Sequence, residues 1–264
     1  MEFIKSLIKN RKLVWQLGKS EFKNKFASTS LGTIWGFLQP FIFMATYVIV
    51  FQYILQTRSS GEYPYVVWFL PGMAIWMLLN DSIMSASGSI RAYSYLVKKV
   101  VFPVDVIPII SIVASSFVSL VLILVAIVTC VIFGYIPNIL LLYIVFAAYC
   151  FIIAFTRFTS AVVTIVPDFS NLLGILMQLF FWFTPIVWDL SMLEASGHYT
   201  ILNLMRCTPF TYLVSGLRQV FIGENIITLD NGIYTIIFWI ITIIMFVWGN
   251  AIFKRNKKDF ADVL

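Results

Sequence analysis

The sequence predicts an all-α integral membrane protein with six transmembrane helices, an N-terminal amphipathic interfacial helix and short re-entrant helices before the last span. Of its 264 residues, 61% are hydrophobic and only 11% are charged. The mean hydropathy of +0.94 is far above that of soluble globular domains of this length. Aromatic residues make up 17% of the chain, and many Trp and Tyr residues stand near the ends of apolar runs, as in interfacial belts. One membrane domain, 1–264, accounts for the whole chain.

Residues 1–33 are expected to form a cytoplasmic interfacial helix. The stretch is rich in lysine, and Trp15, Phe22 and Phe26 fall on one helical stripe. Leu13 and Leu17 point to the other side, which fits a helix sandwiched between lipid and protein. No apolar stretch precedes a small-residue cleavage site, so no removable signal peptide is predicted.

Six apolar runs are long enough to cross a bilayer, which requires about 20 residues. They cover 34–55, 65–85, 106–133, 139–165, 172–190 and 233–253, so spans one to five occupy 34–190. Residues 191–232 alternate short apolar patches with glycine and proline, a pattern typical of re-entrant or interfacial helices on the outer side. Residues 254–264 form a cytoplasmic tail.

The placement of Lys and Arg predicts the orientation of the chain. Fifteen of the 18 basic residues lie in the N-terminal stretch, the loop at 86–105, the exit of the fourth span and the C-terminal tail. The other three, Arg58, Arg206 and Arg218, are assigned to the outer side. The positive-inside rule therefore places both termini in the cytoplasm. Because orientation explains the net charge of +6, nucleic-acid binding is disfavoured.

The sequence contains no recognisable catalytic centre, metal site or nucleotide-binding loop. His198 is the only histidine, and no HExxH motif or pair of intramembrane carboxylates can be assembled. Gly18-Lys19-Ser20 looks like the end of a phosphate-binding loop, but Leu13 stands where the first glycine is needed. We expect neither an enzyme nor a cofactor in this chain, and the energy for any transport must come from elsewhere.

Three residues within the spans are candidates for a substrate path: Arg157, Phe181 and Trp182. Arg157 lies within the fourth apolar run and could face a water-filled path or snorkel to the cytoplasmic end. A path-facing guanidinium would suit an anionic, phosphate-bearing substrate. The two aromatic residues could line a passage for sugars or belong to a lipid-facing stripe.

A basic, proline-punctuated segment, Arg91 to Pro108, joins the second and third spans with the sequence RAYSYLVKKVVFPVDVIP. Such a segment cannot lie in hydrocarbon, because its charges and irregular backbone would be unsatisfied there. It is therefore expected in water or at the headgroup surface, where a soluble partner could hold it.

Several motifs stand in a specific order along essentially the whole chain. They are Ser30 to Trp35 with Pro40, Leu96 to Pro103 with Pro108, Asp168, Thr184 to Val187, and Pro209 with Arg218. Together they resemble the membrane permeases of ABC type-2 exporters for cell-surface polysaccharides, the O-antigen and teichoic-acid group. The tail from Lys258 to Leu264 is most similar to that of the Gram-positive wall teichoic acid translocation permeases.

The resemblance implies a homodimer paired with two copies of a cytoplasmic ATPase that holds ATP and Mg²⁺. It implies a gate helix, set here by Trp15, Phe22 and Phe26. It also implies that the segment between the second and third spans holds the coupling helix. The coupling candidates are Arg91, Lys98, Lys99, Val101, Phe102 and Pro103. An undecaprenyl-linked polymer would pass through the dimer interface.

The sequence therefore predicts the permease subunit of an exporter of a lipid-linked anionic glycopolymer, wall teichoic acid, in the bacterial cytoplasmic membrane. The alternative substrate is O-antigen or a capsular polysaccharide. An alternative of another class is a membrane-bound enzyme of polymer synthesis, which would need a cluster of acidic or His residues that the sequence does not offer. A passive channel would not need the basic segment.

Overall fold

The computed structural model describes residues 2–27, 29–56, 63–99, 102–222, 229–257 and 259–264. Throughout these residues the regular structure is helical, without a strand. The helices are α1 (Glu2–Lys9), α2 (Arg11–Lys25), α3 (Ile34–Val48), α4 (Tyr65–Ala92), α5 (Ser94–Lys99), α6 (Ile107–Ile132), α7 (Leu140–Ile165), α8 (Phe169–Phe183), α9 (Ser191–Ala195), α10 (Tyr199–Arg206), α11 (Pro209–Ile222), α12 (Leu229–Asn256) and α13 (Phe260–Val263). A π-helical segment, Ile49–Ile54, continues α3, and a 3-10 turn, Val104–Val106, leads into α6.

Within the described ranges, five helical segments are long and apolar enough to cross a membrane. They are Ile34–Ile54, Tyr65–Ala92, Val104–Ile132, Leu140–Ile165 and Gly232–Asn256. Together with the shorter apolar α8 they confirm the predicted all-α membrane fold. The second of these helices continues well beyond the predicted end at residue 85, because the polar residues after this point, such as Ser87 and Ser89, are buried against other helices instead of facing water.

The predicted fifth span, 172–190, is wrong in its extent. α8 begins at Phe169 and ends at Phe183, so it is about 22 Å long, less than the hydrocarbon thickness of about 30 Å. The cause is Pro185, whose ring disfavours the helical conformation in the residue before it. Thr184 is accordingly extended, with φ −79° and ψ 135°. The apolar residues that follow do not continue α8 and are buried as irregular chain.

α4 is the centre of the bundle, and α6, α7, α8 and α11 pack around it. In its most apolar stretch 78% of the residues are buried, compared with 11% in Ile34–Ile54. Its mean hydropathy of 1.4 is nevertheless the lowest of the five segments, because small polar side chains face neighbouring helices instead of lipid. Ser87, for example, shares a hydrogen bond of 2.6 Å with Thr159 of α7. The least hydropathic of the five segments is therefore also the one most shielded from lipid by other helices.

The predicted interfacial helix at 1–33 consists of α1, α2 and a series of turns. α2 packs along α6, where buried Gly18 faces Ile110 and Val113. The ring of Phe22 lies 5.4 Å from that of Phe117 in α6 and 5.9 Å from that of Phe37 in α3. One side of α2 thus rests on the bundle, while Lys12, Lys19 and Lys23 are exposed.

The predicted outer segment begins with two largely exposed helices, α9 and α10. α11 differs from them because it packs against α4, α7 and α12 and most of its side chains are buried. With 14 residues it is too short to cross a bilayer. A short buried helix inside the bundle is the arrangement expected of a re-entrant helix. Residues 223–228 of the predicted segment lie outside the described residues.

We expect Gly18→Ala to destabilise the protein. The added methyl group would lie 2.7 Å from Cγ1 of Val113 and 3.2 Å from the carbonyl oxygen of Ile110. Overpacking of this kind costs about 1–3 kcal/mol. The measurement is the midpoint of thermal unfolding of the purified protein in detergent.

Gly88→Ala is the matched control. An added Cβ at Gly88 meets no atom within 4 Å, and alanine has the higher helix propensity. The unfolding midpoint should therefore stay constant or rise. If both variants responded equally, the close packing of α2 on α6 would be disproved.

Candidate coupling face and substrate cavity

The segment between α4 and α6 is anchored to two other helices. Nη1 of Arg91 donates a hydrogen bond of 3.1 Å to the carbonyl of Thr164, near the end of α7. The Tyr93 hydroxyl donates one of 2.8 Å to a carboxylate oxygen of Glu21 in α2. Burial raises the pKa of Tyr93, and the bond to Glu21 raises it further, so the phenol keeps its proton. The predicted gate helix and the predicted coupling segment are therefore directly connected.

The predicted coupling residues divide into inward-packing and exposed ones. Half-buried Phe102 and Val97 pack against a group of buried side chains, which we name the coupling cluster. Its members are Ile90, Val104, Ile107, Ala161, Phe253 and Phe260. Lys98 and Tyr95 are exposed on α5. Pro103 precedes the 3-10 turn, whereas the side chain of Lys99 and all of Val101 lie outside the described residues.

The C-terminal tail completes the coupling cluster. Phe260 of α13 is fully buried, and its ring meets that of Phe253 edge to face at 5.4 Å. α13 also lies against α5, and Leu264 packs on the same cluster. The sequence indicated only a basic cytoplasmic tail, although the apolar residues after Lys257 could have suggested an amphipathic docking segment.

Arg157 is buried in a network of protein groups. Its side chain is 1% exposed, and Nη2 lies 3.2 Å from Oδ1 of Asp105 and 2.7 Å from Oδ1 of Asn250. Lys257 pairs with the second carboxylate oxygen of Asp105. The guanidinium also lies over the Phe253 ring at 3.8 Å. This network joins the start of α6, the middle of α7 and the end of α12.

These contacts match neither of the two environments expected for Arg157, a water-filled path or the cytoplasmic membrane surface. A snorkelling side chain would reach solvent, and a path-facing one would line a cavity. Instead, the guanidinium is occupied by a carboxylate, an amide and aromatic rings. The sequence could not name these partners, because Asp105 is 52 residues away along the chain and Asn250 is 93 residues away. A role of Arg157 in a substrate path stays a prediction, which these contacts do not favour.

Arg218 is a second buried arginine, and it lies near the start of α4 and the end of α8. Counted from the sequence as an outer loop cation, it is buried in α11 and lies over the Trp68 ring at 3.5 Å. Nε donates a hydrogen bond of 3.0 Å to the carbonyl of Trp68, and the terminal nitrogens donate to the carbonyls of Pro185 and Ile186. Arg218 thus supplies donors to the irregular chain that follows α8.

A cavity of about 430 Å³ lies between α2, α3, α4, α6 and α8. Its aromatic wall includes Trp76, Tyr47 and Phe181, and the Phe181 ring is 5.7 Å from that of Trp76 and 6.0 Å from that of Tyr47. Its polar wall combines charged, amide and hydroxyl side chains: Glu21, Lys25, Gln39, Asn80, Asp81, Ser85 and Ser115. A site with flat aromatic faces beside convergent polar groups is suited to an amphipathic ligand such as a sugar.

The structure brings some of the predicted site residues together at this cavity. Phe22 and Phe26 of the predicted gate helix line it, as does Phe181. Trp15 is 57% exposed and reaches the same aromatic group through Phe117, with ring centroids 5.5 Å apart. Trp182 is 54% exposed and is not among the lining residues.

Sequence reasoning missed the polar pair Asn80-Asp81, which lies in the middle of the second span and lines the cavity. An average of hydropathy over about 20 residues hides two polar residues among many apolar ones. The available signal was the carboxylate itself, since an ionisable residue within a span marks a functional site by default.

A family model described as ABC-2 type transporter matches residues 12–222. The chain belongs to the ABC-2 type transporter family. It is similar to an O-antigen export system permease protein RfbA of Myxococcus xanthus, with 22% identity and 99% of each chain covered. Two proteins of the same name from Klebsiella pneumoniae are each 23% identical, with 92% of each chain covered.

As an ABC-2 permease, the chain is the transmembrane, non-catalytic component of an ABC exporter and implies a partner ATPase subunit. It is a multi-pass membrane protein. The matched segment contains α2 from its second residue onward, the cavity and the segment between α4 and α6. It ends at the last residue of α11, so α12 and the tail, which complete the Arg157 network, lie beyond it.

We expect Asp105→Ala to destabilise this permease more than Arg157→Met. Without Asp105 the buried guanidinium keeps no counter-charge, and breaking a buried pair in this way costs about 3 kcal/mol. Without Arg157 the carboxylate, whose side chain is 15% exposed, still pairs with Lys257. Methionine also fills the space beside Phe253, so this loss should be about 1 kcal/mol.

Thermal unfolding in detergent measures both variants, and the double variant provides the control. Asp105→Ala combined with Arg157→Met should recover most of the stability lost in Asp105→Ala, because it removes the unpaired charge. If Arg157→Met lost more stability than Asp105→Ala, the packing of the Arg157 side chain, and not its pairing with Asp105, would be its main contribution to stability.

Proposed function

We propose that this permease exports a lipid-linked polysaccharide of the O-antigen kind, using ATP hydrolysed by its partner subunit. The observation that carries the proposal is the match to permeases named for O-antigen export over 92–99% of their length. The cavity supports it independently, because its aromatic faces and convergent polar groups suit a sugar chain.

Wall teichoic acid, the substrate that the sequence predicted first, is less well supported than its alternative. The similar permeases carry the name of O-antigen export, and none of those above is named for teichoic acid. The argument for an anionic polymer depended on Arg157, which is engaged by Asp105 and Asn250. The motif Lys258 to Leu264 lies in the tail, where Phe260 and Leu264 pack on the coupling cluster.

The proposed assembly is a homodimer bound to two copies of the ATPase, with ATP and Mg²⁺ held by the ATPase subunits. The low burial of Ile34–Ile54 supports it, because this span leaves most of its apolar surface to lipid or a second copy. The end of the bundle with α5 and the tail exposes Lys98, Arg255 and Lys257. The positive-inside rule supports a cytoplasmic location for this face and both termini in a bacterial membrane.

In the proposed mechanism, ATP binding moves the two ATPase copies, and each displaces the α5 segment that it contacts. The hydrogen bonds of Arg91 and Tyr93 make α4, α7 and α2 follow this displacement. Because α2 and α4 both line the cavity, its shape changes with the state of the partner. The tertiary contacts convert a local displacement into rigid-body movement of helices.

We expect Tyr95→Ala combined with Lys98→Ala to weaken binding of the ATPase about tenfold, because exposed tyrosine is among the residue types that contribute most to interface affinity. Both side chains are exposed, so thermal unfolding of the permease alone should not change. The measurement is the affinity between the purified permease in nanodiscs and its ATPase.

Tyr199→Ala is the control, since Tyr199 is 61% exposed on α10, away from α5. It should leave the affinity unchanged. Wild-type affinity in the double variant would exclude α5 as the docking surface.

The proposed function itself is tested in cells that lack the permease. They should accumulate lipid-linked polysaccharide inside and lose it from the surface. Unaltered surface polysaccharide would refute the proposal.

A further inference from the structure

The wall of the cavity carries more negative than positive charge. Among the described residues that line it, the charged ones are Glu21, Asp81 and Lys25. Asp81 is half-buried in the middle of α4, where Asn80 donates a hydrogen bond of 3.3 Å to its carboxylate. Glu21 is held in place by the Tyr93 hydroxyl. A group that enters this cavity therefore meets two carboxylates and one ammonium.

The uncharged polar groups of the wall add further acceptors. Gln39 and Asn80 each present an amide oxygen as well as donors. Pro40 has no N–H, so the carbonyl of Gly36, four residues earlier in α3, lacks its helical donor. Both Gly36 and Pro40 line the cavity. Acceptors of this kind call for a ligand that brings donors, and a sugar hydroxyl donates as well as accepts.

The buried arginines are not available to a phosphate in this cavity. Proteins hold phosphate groups with arginine, lysine and backbone N–H groups. Arg157 and Arg218 are absent from the lining residues, and each is already bonded to protein oxygens. A phosphodiester brings negative charge and only acceptors, so it would face Glu21 and Asp81 with the single ammonium of Lys25 to offset them.

The aromatic part of the wall suits the other face of a sugar. Trp76 and Phe181 offer apolar ring surfaces next to the polar pair Asn80-Asp81. The volume of about 430 Å³ lies within the range of small-ligand sites, about 300–1,000 Å³. This space accommodates a short stretch of sugar units.

We propose that this cavity binds uncharged sugar units of the exported polymer and disfavours a phosphate-containing chain. This inference rests on the proposed function and specifies its substrate class. In this proposal the carboxylates of Asp81 and Glu21 repel a phosphate-containing chain and so select a neutral polymer. Asn80 and Trp76 contact the sugar. It also reverses the anionic substrate that the sequence predicted.

The test uses the full permease with its ATPase partner in nanodiscs and measures ATP hydrolysis as a lipid-linked polymer is added. Two probes share an undecaprenyl-diphosphate anchor and a chain length: one carries a neutral hexose polymer, the other poly(glycerol phosphate). Half-maximal stimulation should need about tenfold less of the neutral probe, because repulsion by a like charge in a partly buried site is worth about a factor of ten.

Asp81→Asn and Glu21→Gln keep the shape of each side chain and remove its charge. In each variant the preference for the neutral probe should shrink to about threefold or less. Glu194→Gln is the matched control, because it removes an exposed carboxylate of α9 that does not line the cavity, and it should keep the tenfold preference.

The outcomes separate the inference from the proposed function. An equal or stronger response to poly(glycerol phosphate) would overturn the inference and leave polysaccharide export standing. An undiminished preference in both Asp81→Asn and Glu21→Gln would overturn the assignment to this cavity. Stimulation by neither probe would overturn the proposed function, and the inference with it.

Discussion

A helix that ends inside a membrane protein leaves carbonyl groups without donors, and no water is present in hydrocarbon to replace them. Here α8 ends at Phe183, and Arg218 donates to the carbonyls of Pro185 and Ile186 beyond it. The same guanidinium bonds to Trp68 in α4. Space for it exists because residue 72 is glycine, where a Cβ atom would lie 2.6 Å from Nη2. Pro185 ends α8, and Arg218 of α11 then supplies donors to the chain that follows, so this one side chain joins α11, α4 and the segment after α8.

The two buried arginines each link a different set of helices. Arg218 links α4, α11 and the chain after α8, and Arg157 links the turn before α6 to α7 and α12. A buried ion pair such as Arg157–Asp105 adds little net stability, because desolvation offsets the attraction. With both guanidinium groups engaged in this way, the cavity between the two sites retains a wall of carboxylates, amides and aromatic rings.

The parts of the fold that follow from local sequence were predictable, and those that follow from distant partners were not. Hydropathy located the long spans, and the helical stripe of Phe22 and Phe26 indicated an apolar face that does pack on the bundle. The end of α8 could have been inferred from Thr184-Pro185, because a residue before proline avoids the helical conformation. The partners of Arg157 and Arg218 lie on other helices, and no local pattern identifies them.

α4 connects the Arg218 site, the cavity and the proposed coupling segment as one continuous helix of 28 residues. It is fixed near Gly72 by Arg218, lines the cavity at Asp81 and reaches the coupling face at Arg91. At 1.5 Å per residue, Arg91 lies about 28 Å from the Gly72 position and Asp81 about 14 Å from it. A rigid tilt of α4 about the position held by Arg218 would therefore move Arg91 about twice as far as Asp81. If α4 tilted as a rigid rod about this position by about 5°, a shift of roughly 2.5 Å at Arg91 would become a shift of roughly 1.2 Å at Asp81, less than half the length of a hydrogen bond.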